Sequence, residues 1–450
     1  MDKNAKKLFY KKMMTLAVPL MMQSLMLSLV AVADALMLGS VEQNAMAAVS
    51  LATQIQFIQN MLMYAMVGEG QLLSAQYWGK GDKGSVNDIF CITLKICGFI
   101  SIVTFMGCMF CPEFLMRIFT NEDVLVEIGA GYLKIAGWSY LATGISLCYL
   151  TLMKVTNHAK MTAIISSGAV VINIIFNAVF IYGLLGAPVM GVRGAALSTL
   201  IARCVELASL LIVSFMPEYM HPDIKRFFKT NMILLKDFMK AEGPLLGAGL
   251  LWGIGFTSYT AFMGHLGTDA AAANSIAAVV RDMICCACNG VSGAAGIMVG
   301  NELGAGNEEN AKRYGDRLVI ISFVLGFAST IIMLAVTPAL FGFVKMTPEA
   351  KRLLVGMMVI MAVYMIGRCV NTIVINGIFD AGGDTIFDMY SLAVCMWCIA
   401  VPLAFAGTFF LGWSPLVVYA CTCLDEVGKI PWVVHRYKKY IWVKNLTREF

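Results

Sequence analysis

The fold class this sequence predicts is an all-α membrane protein of twelve transmembrane helices in two pseudo-symmetric halves of six. Three observations predict it: a composition too apolar for a soluble domain, apolar runs of spanning length along the whole chain, and an internal repeat at half the chain length. Of 450 residues, 59% are hydrophobic and 14% are charged, where soluble domains carry roughly a quarter.

Apolar windows fall near 14–38, 47–76, 87–111, 126–152, 162–183 and 189–216, and again near 244–267, 271–300, 317–343, 351–378, 387–411 and 414–436. At about 1.5 Å per residue, each is long enough as a helix to cross roughly 30 Å of hydrocarbon. The run behind the basic start, "MDKNAKKLFYKK", is too long for a signal peptide's core and reads as a first span that stays.

Charge gives the orientation. The two termini and the loops on their side hold about 22 Lys and Arg, and the opposite loops about five (Arg117, Arg193, Lys345, Lys351, Arg352). The positive-inside rule puts both termini in the cytoplasm. The net charge of +5 belongs to these loops, and no nucleic-acid partner is expected. The 14 cysteines lie mostly in apolar runs, as at 285–288, without paired metal spacing. They read as small hydrophobes, and the 32 methionines as adaptable packing or cavity lining.

The repeat appears on shifting the chain by 225 residues, half its length. Pro19 then meets Pro244, Gly39 meets Gly264, Ser50 meets Ser275 and Gly68 meets Gly293. Gly79 and Gly81 meet Gly304 and Gly306, which sets "SAQYWGKGD" (74–82) on "VGNELGAGN" (299–307). Six spans per half give both halves the same orientation, a parallel repeat of the kind seen in secondary transporters. The expected organisation is therefore a six-helix lobe over 1–216, a cytoplasmic linker over 217–243, and a second six-helix lobe over 244–450 with a short basic tail. The linker interleaves Phe and Leu with Lys and Arg, as in an amphipathic piece lying on the membrane face; a disordered tether is the alternative.

The stretch "AVPLMMQSLMLSLVAVADALMLG" (17–39) resembles the first helix of the multidrug and toxic compound extrusion (MATE) family. "SAQYWGKGD", "VGNELGAGN", "NIIFNAVFIYG" (173–183), "GVRGAALSTLIAR" (191–203) and "NGIFDAGGDT" (376–385) sit where that family has its loop signatures. The resemblance covers nearly the whole chain. It implies a V-shaped pair of six-helix lobes that alternates its opening between the two sides and expels organic, often cationic compounds in exchange for Na⁺ or H⁺.

Asp34 is the expected coupling residue. An isolated carboxylate at membrane depth is costly and generally functional where it faces a cavity. By the same resemblance Asn173, Asn177 and Thr199 surround it. Asn173 and Asn177 share one helix face, and their oxygens suit a small cation beside a carboxylate. Many relatives carry Asp where this chain has Asn177. One carboxylate suffices for a proton whereas Na⁺ prefers several oxygens, so H⁺ is the expected coupling ion, with Na⁺ at Asp34 the alternative.

In the second half the resemblance sets Trp252 and Cys369 where Na⁺-driven relatives have acids, so a cation site of that design is not expected. Arg281, Asp282, Arg368 and Glu426 still lie inside spans. One expectation is that Asp282 pairs with Arg368 and lines the cavity, with Arg281 needing a partner of its own because helix neighbours do not face each other. Arg203–Glu206 and Glu426–Lys429 fit same-helix ion pairs. Glu69, in "VGEGQ", is either a second proton site or simply reaches water. Tyr64, Tyr132, Trp138, Tyr149, Trp252 and Tyr259 are candidates for an aromatic cavity wall that attracts organic cations. Pro19 and Pro402 can bend their helices where neighbours satisfy the freed carbonyls.

The glycine-rich loops lack the P-loop pattern and its lysine–serine ending, so ATP hydrolysis is not expected, and the chain is not expected to be an enzyme or to hold a cofactor. The expected setting is a bacterial cytoplasmic membrane, with a monomer working on a small organic substrate. Two rivals stand beside export. A lipid-linked oligosaccharide flippase would need a strongly basic cavity, and a receptor or scaffold would leave the repeat and Asp34 unexplained.

Overall fold

The structure, a computed structural model, describes residues 3–39, 43–343 and 346–449; the side chains of 3, 31–32, 34–36, 38–39, 43–46, 224 and 341–343 lie outside the described set. Among the described residues every regular element is helical. The long helices are α1 (Lys3–Gly39), α2 (Gln43–Lys80), α3 (Lys83–Phe110), α5 (Asp123–Val155), α6 (Ala159–Tyr182) and α7 (Val192–Ser214), with a short α4 (Pro112–Arg117) before α5. Then follow α8 (Met232–His265), α9 (Thr268–Gly304), α10 (Glu308–Phe343) and α11 (Pro348–Ile373). The last two spans run as α12 (Thr385–Leu392) and α13 (Val401–Phe409), joined by a π-helical stretch, and as α14 (Pro415–Thr422), α15 (Leu424–Val427) and α16 (Ile430–Lys438).

Ten helices among the described residues are long and apolar enough to cross a membrane. The other two positions of the expected twelve are α2 and the run α14–α16. Both are more polar: α2 carries Gln54, Gln56, Gln59, Glu69, Gln71 and Gln76, and the last run carries Asp425, Glu426 and Lys429.

By contacts the chain forms two compact units. One comprises Met22–Ser74 and Asp82–Phe238; the other comprises Met1–Met21, Ala75–Gly81 and Met239–Phe450. In the first unit α5 packs against α3 and α7, and α7 against α6. Its core joins Val49 and Ala52 of α2, Cys108 of α3, Met116 of α4, Tyr132 and Tyr140 of α5, Ile181 of α6 and Ala196 of α7. In the second unit α9 packs on α10 and α11. The buried side of α9 is built from small residues, among them Ala273, Ala277, Ser292, Ala294, Ala295 and Gly300. Small residues let membrane helices approach closely, where dispersion between backbones replaces the missing hydrophobic drive.

The loop glycines end helices as their position in the repeat suggests. Gly81 and Gly306, equivalent under the 225-residue shift, both have positive φ (85° and 77°), a conformation that glycine adopts without steric cost. Pro19 lies inside α1. Pro402 stands early in α13, directly after a π-helical run over Ala393–Ala400. Widening the helix there makes room for a ring that would otherwise meet the carbonyl one turn back.

The segment 217–243 divides in two. Its first part is tied to α3: Arg226 pairs with Asp88 at 3.1 Å, the Asp223 backbone N–H donates to Asn87 Oδ1 at 2.9 Å, and Lys95 donates to Thr230 Oγ1 at 2.6 Å. Its second part forms the opening turns of α8.

Candidate functional site

The last span carries three charges on and beside an irregular stretch of helix. α14 ends at Thr422 and α16 begins at Ile430, so the short α15 sits between them with Asp425, Glu426 and, just after it, Lys429. All three are almost fully buried, at 1%, 3% and 2% exposure. Polar side chains at membrane depth are tolerated where protein groups or a cavity satisfy them.

Glu426 is the satisfied member. Arg368 donates to its Oε1 at 2.9 Å, Asn371 donates to its Oε2 at 2.6 Å and to its backbone carbonyl at 2.8 Å, and Lys429 lies 3.9 Å from Oε2. Arg368 and Asn371 are three apart on α11 and share a face. Gly367 allows the approach, since a Cβ there would come within 2.7 Å of the Glu426 carbonyl oxygen. A buried carboxylate with two hydrogen-bond donors and a lysine beside it is fixed in charge and place.

This corrects the pairing expected from sequence. Arg368 pairs with Glu426 and Asp282 pairs with Arg281, both at 2.9 Å. The guanidinium's length lets it fold back on the next residue, which helix-face reasoning alone does not allow for. Asp282 is well exposed, at 59% of its side chain. The same-helix pairs Glu426–Lys429 and Arg203–Glu206 form as spaced, the latter at 2.7 Å.

Asp425 points elsewhere. Its Oδ2 accepts a long hydrogen bond, 3.4 Å, from the Tyr259 hydroxyl, and its Oδ1 has no hydrogen-bond partner. It lines a cavity of about 70 Å³ together with Phe256, Tyr259, Arg281, Tyr364 and Tyr419. Trp252 stands beside this wall, against Phe256 at 4.6 Å and with the Arg368 guanidinium over its ring at 5.8 Å. Cys369 is buried. Of the six candidate wall aromatics, only Trp252 and Tyr259 are here. Tyr132 belongs to the other unit's core, Tyr149 is buried against Phe90, Trp138 is exposed against Phe105, and Tyr64 is exposed.

In the first unit, α6 and α7 bring together three expected residues. Asn177 donates to Asn173 Oδ1, and Asn173 donates to Thr199 Oγ1, both at 3.2 Å. Asn177 and Asn173 are 0% and 5% exposed. Asp34 lies in α1, and its side chain is outside the described residues. Glu69 is buried at 1% exposure, not placed at a surface. A second buried chain runs from Gln23 to Ser166 to Glu206, each link 3.0 Å, with Arg203 closing it.

Asp425, Asn371 and the Gln23–Ser166 link are not among the residues expected from sequence. For Asp425 a signal was present: two adjacent acids inside a span flanked by Pro415, Gly428 and Pro431. Among the described residues no group of three or more His, Cys, Asp or Glu is placed to hold a metal ion.

The MatE family profile matches residues 19–179 and 244–406, one match in each half of the repeat. The Bacillus subtilis transporter YisQ is 24% identical over 417 residues, covering 92% of this chain and 90% of its own. A multidrug resistance protein MdtK from Pectobacterium atrosepticum is 23% identical, covering 87% of this chain and 86% of its own. A Vibrio cholerae MATE transporter crystal structure superposes with a TM-score of 0.89 at 15% identity, over 99% of both chains. An outward-facing multidrug resistance MATE transporter gives 0.86 at 16% identity, over 95% of this chain and 96% of its own. These likenesses show a shared fold, and the profile match spans most of the chain. The protein is a multi-pass membrane transporter that belongs to the MatE family, the multidrug and toxic compound extrusion transporters.

Proposed function

We propose that the chain is a proton-coupled antiporter that exports organic, mainly cationic compounds across a bacterial cytoplasmic membrane, with both termini in the cytoplasm. The single observation that carries the coupling is the buried, uncharged row Asn177–Asn173–Thr199. The family resemblance sets this row around one carboxylate, Asp34. A lone acid among neutral amides and a hydroxyl suits a proton, because Na⁺ would need several well-placed oxygens in place of its water.

Exchange follows from competition. The ionised carboxylate attracts a cationic substrate or a proton, and each excludes the other by removing the charge that holds it. A proton arriving from outside neutralises Asp34 and releases substrate there, and deprotonation toward the cytoplasm restores the binding charge. Each ligand shifts the conformational equilibrium only by its differential affinity for the two states. Glu69, buried in the same unit, is the candidate second acid. Trp252, Tyr259 and the charges Asp282 and Arg368 are candidates for the substrate's surroundings. The basic loops support the orientation. Arg203, Arg281 and Arg368 are each engaged by an acid, which argues against a pyrophosphate-binding flippase.

The test is ethidium accumulation in pump-deficient cells expressing the wild type or Asp34→Asn at matched membrane levels. Lower accumulation with the wild type alone supports the reading. Equal lowering by both removes Asp34 from coupling, and no lowering by either counts against drug export.

A further inference from the structure

We propose that the cavity beside α15 is a binding site for the head group of an organic ammonium ion, with Asp425 as its anchoring carboxylate. The substrate class rests on the export reading; the site rests on the geometry. Asp425 and Glu426 are neighbours with opposite circumstances. Glu426 is held by Arg368, Asn371 and Lys429. Asp425, 1% exposed, has one oxygen with no hydrogen-bond partner, and the other accepts a long hydrogen bond from the Tyr259 hydroxyl at 3.4 Å. A carboxylate removed from water with so few donors is costly, and the cost is relieved by an incoming cation.

The chain's own cations nearby are committed. Arg368 and Lys429 face Glu426, and Arg281, the cation in the cavity wall, is bonded to Asp282 and lies over the Phe256 ring at 4.8 Å. The remaining wall favours an organic cation over a bare metal ion. Phe256, Tyr259, Tyr364 and Tyr419 present aromatic surface, Met263 and Met361 polarisable surface, and aromatic faces attract ammonium groups by about 1–2 kcal/mol when desolvated. The Tyr364 hydroxyl, on a residue 4% exposed, also lacks a partner. A volume of about 70 Å³ holds roughly five waters at ~10–15 Å³ each, the size of a quaternary head group and not of a whole drug.

The probe is radiolabelled tetramethylammonium binding to the purified full-length chain in detergent, with neopentyl alcohol as an uncharged competitor of similar shape. The wild type should bind saturably and Asp425→Asn at least tenfold more weakly, while Gly68→Ala, far along the chain in the other unit, should bind as the wild type does. The uncharged alcohol should not compete. A second reading needs no variant: Cys423 lines the same cavity, and its alkylation by N-ethylmaleimide, followed by peptide mass spectrometry, should slow with tetramethylammonium and not with the alcohol. Wild-type affinity in a folded Asp425→Asn protein overturns the proposal. So does competition or Cys423 protection by the alcohol equal to that of the cation. If Asp425→Asn does not fold, Cys423 protection decides. Because no gradient is applied, absent binding alongside intact ethidium export refutes this site and leaves the export reading standing, while binding without export does the reverse.

Discussion

Gly304 lies against the backbone of Gln76 so closely that a Cβ on it would overlap the Gln76 carbonyl. The repeat supplies the mirror contact: Gly79, which is 304 − 225, lies in the same way against Asn301, which is 76 + 225. The ends of α2 and α9 thus cross through reciprocal glycines. These positions were conspicuous in the sequence as loop glycines, and the structure adds that both are also sites of close helix approach.

A methyl group at either glycine should therefore be poorly tolerated. Gly79→Ala and Gly304→Ala are each expected to cost about 1–3 kcal/mol through overpacking, lowering the thermal midpoint in detergent by several degrees. Gly68→Ala, with nothing within 4 Å of the added carbon, should leave it unchanged or raise it slightly. Equal midpoints for all three would show that the crossing is looser than described.

The carboxyl-terminal tail is anchored beside that crossing. Gln76 donates to the Ala381 and Lys444 carbonyls at 2.7 and 3.2 Å and accepts from the Leu446 N–H at 2.6 Å, and Trp442 is fully buried. Trp442→Ala should cost about 3–5 kcal/mol, read as a loss of folded protein on heating. A midpoint equal to the wild type would show that the tail does not contribute to stability.

The Arg368–Glu426 pair gives a directional prediction. Glu426→Gln leaves Arg368 and Lys429 buried without their anion and should destabilise by about 3–5 kcal/mol. Arg368→Met leaves Glu426 with Lys429 and Asn371 and should cost less. Thermal unfolding of both variants checks the order, and the reverse order would place the main partner of Glu426 elsewhere.

Much of the fold was legible because its determinants are local. Spans follow from length and hydropathy, and Gly81 and Gly306 follow from a turn geometry that few other residues adopt. Pair identity was not legible. Asp282 and Glu426 were both available acids for Arg368, and only the tertiary placement of α15 against Gly367 chooses between them. Asp425 was hidden for a related reason. On its own helix it is one more residue near an i,i+3 pair, and the cavity it faces is made by residues distant in sequence, Phe256, Tyr259, Tyr364 and Tyr419, that hydropathy does not register.

The row Asn177–Asn173–Thr199 yields a prediction on ion choice. Asn177→Asp restores a second carboxylate beside the resemblance-assigned Asp34 site and should make export stimulated by Na⁺ at fixed pH, where the wild type is not. Ethidium efflux from energised cells in Na⁺ and in choline buffers measures this. An unaltered Na⁺ response in a well-expressed variant would separate Asn177 from the ion path.

The central claim, proton-coupled exchange through Asp34, is tested most directly in proteoliposomes of the purified chain. Ethidium uptake is followed under an acid-inside pH gradient at equal Na⁺, and separately under a Na⁺ gradient at equal pH. The account predicts uptake driven by the pH gradient alone, abolished by collapsing it and absent in Asp34→Asn. Uptake driven by Na⁺ at equal pH, or undiminished in Asp34→Asn, would contradict it.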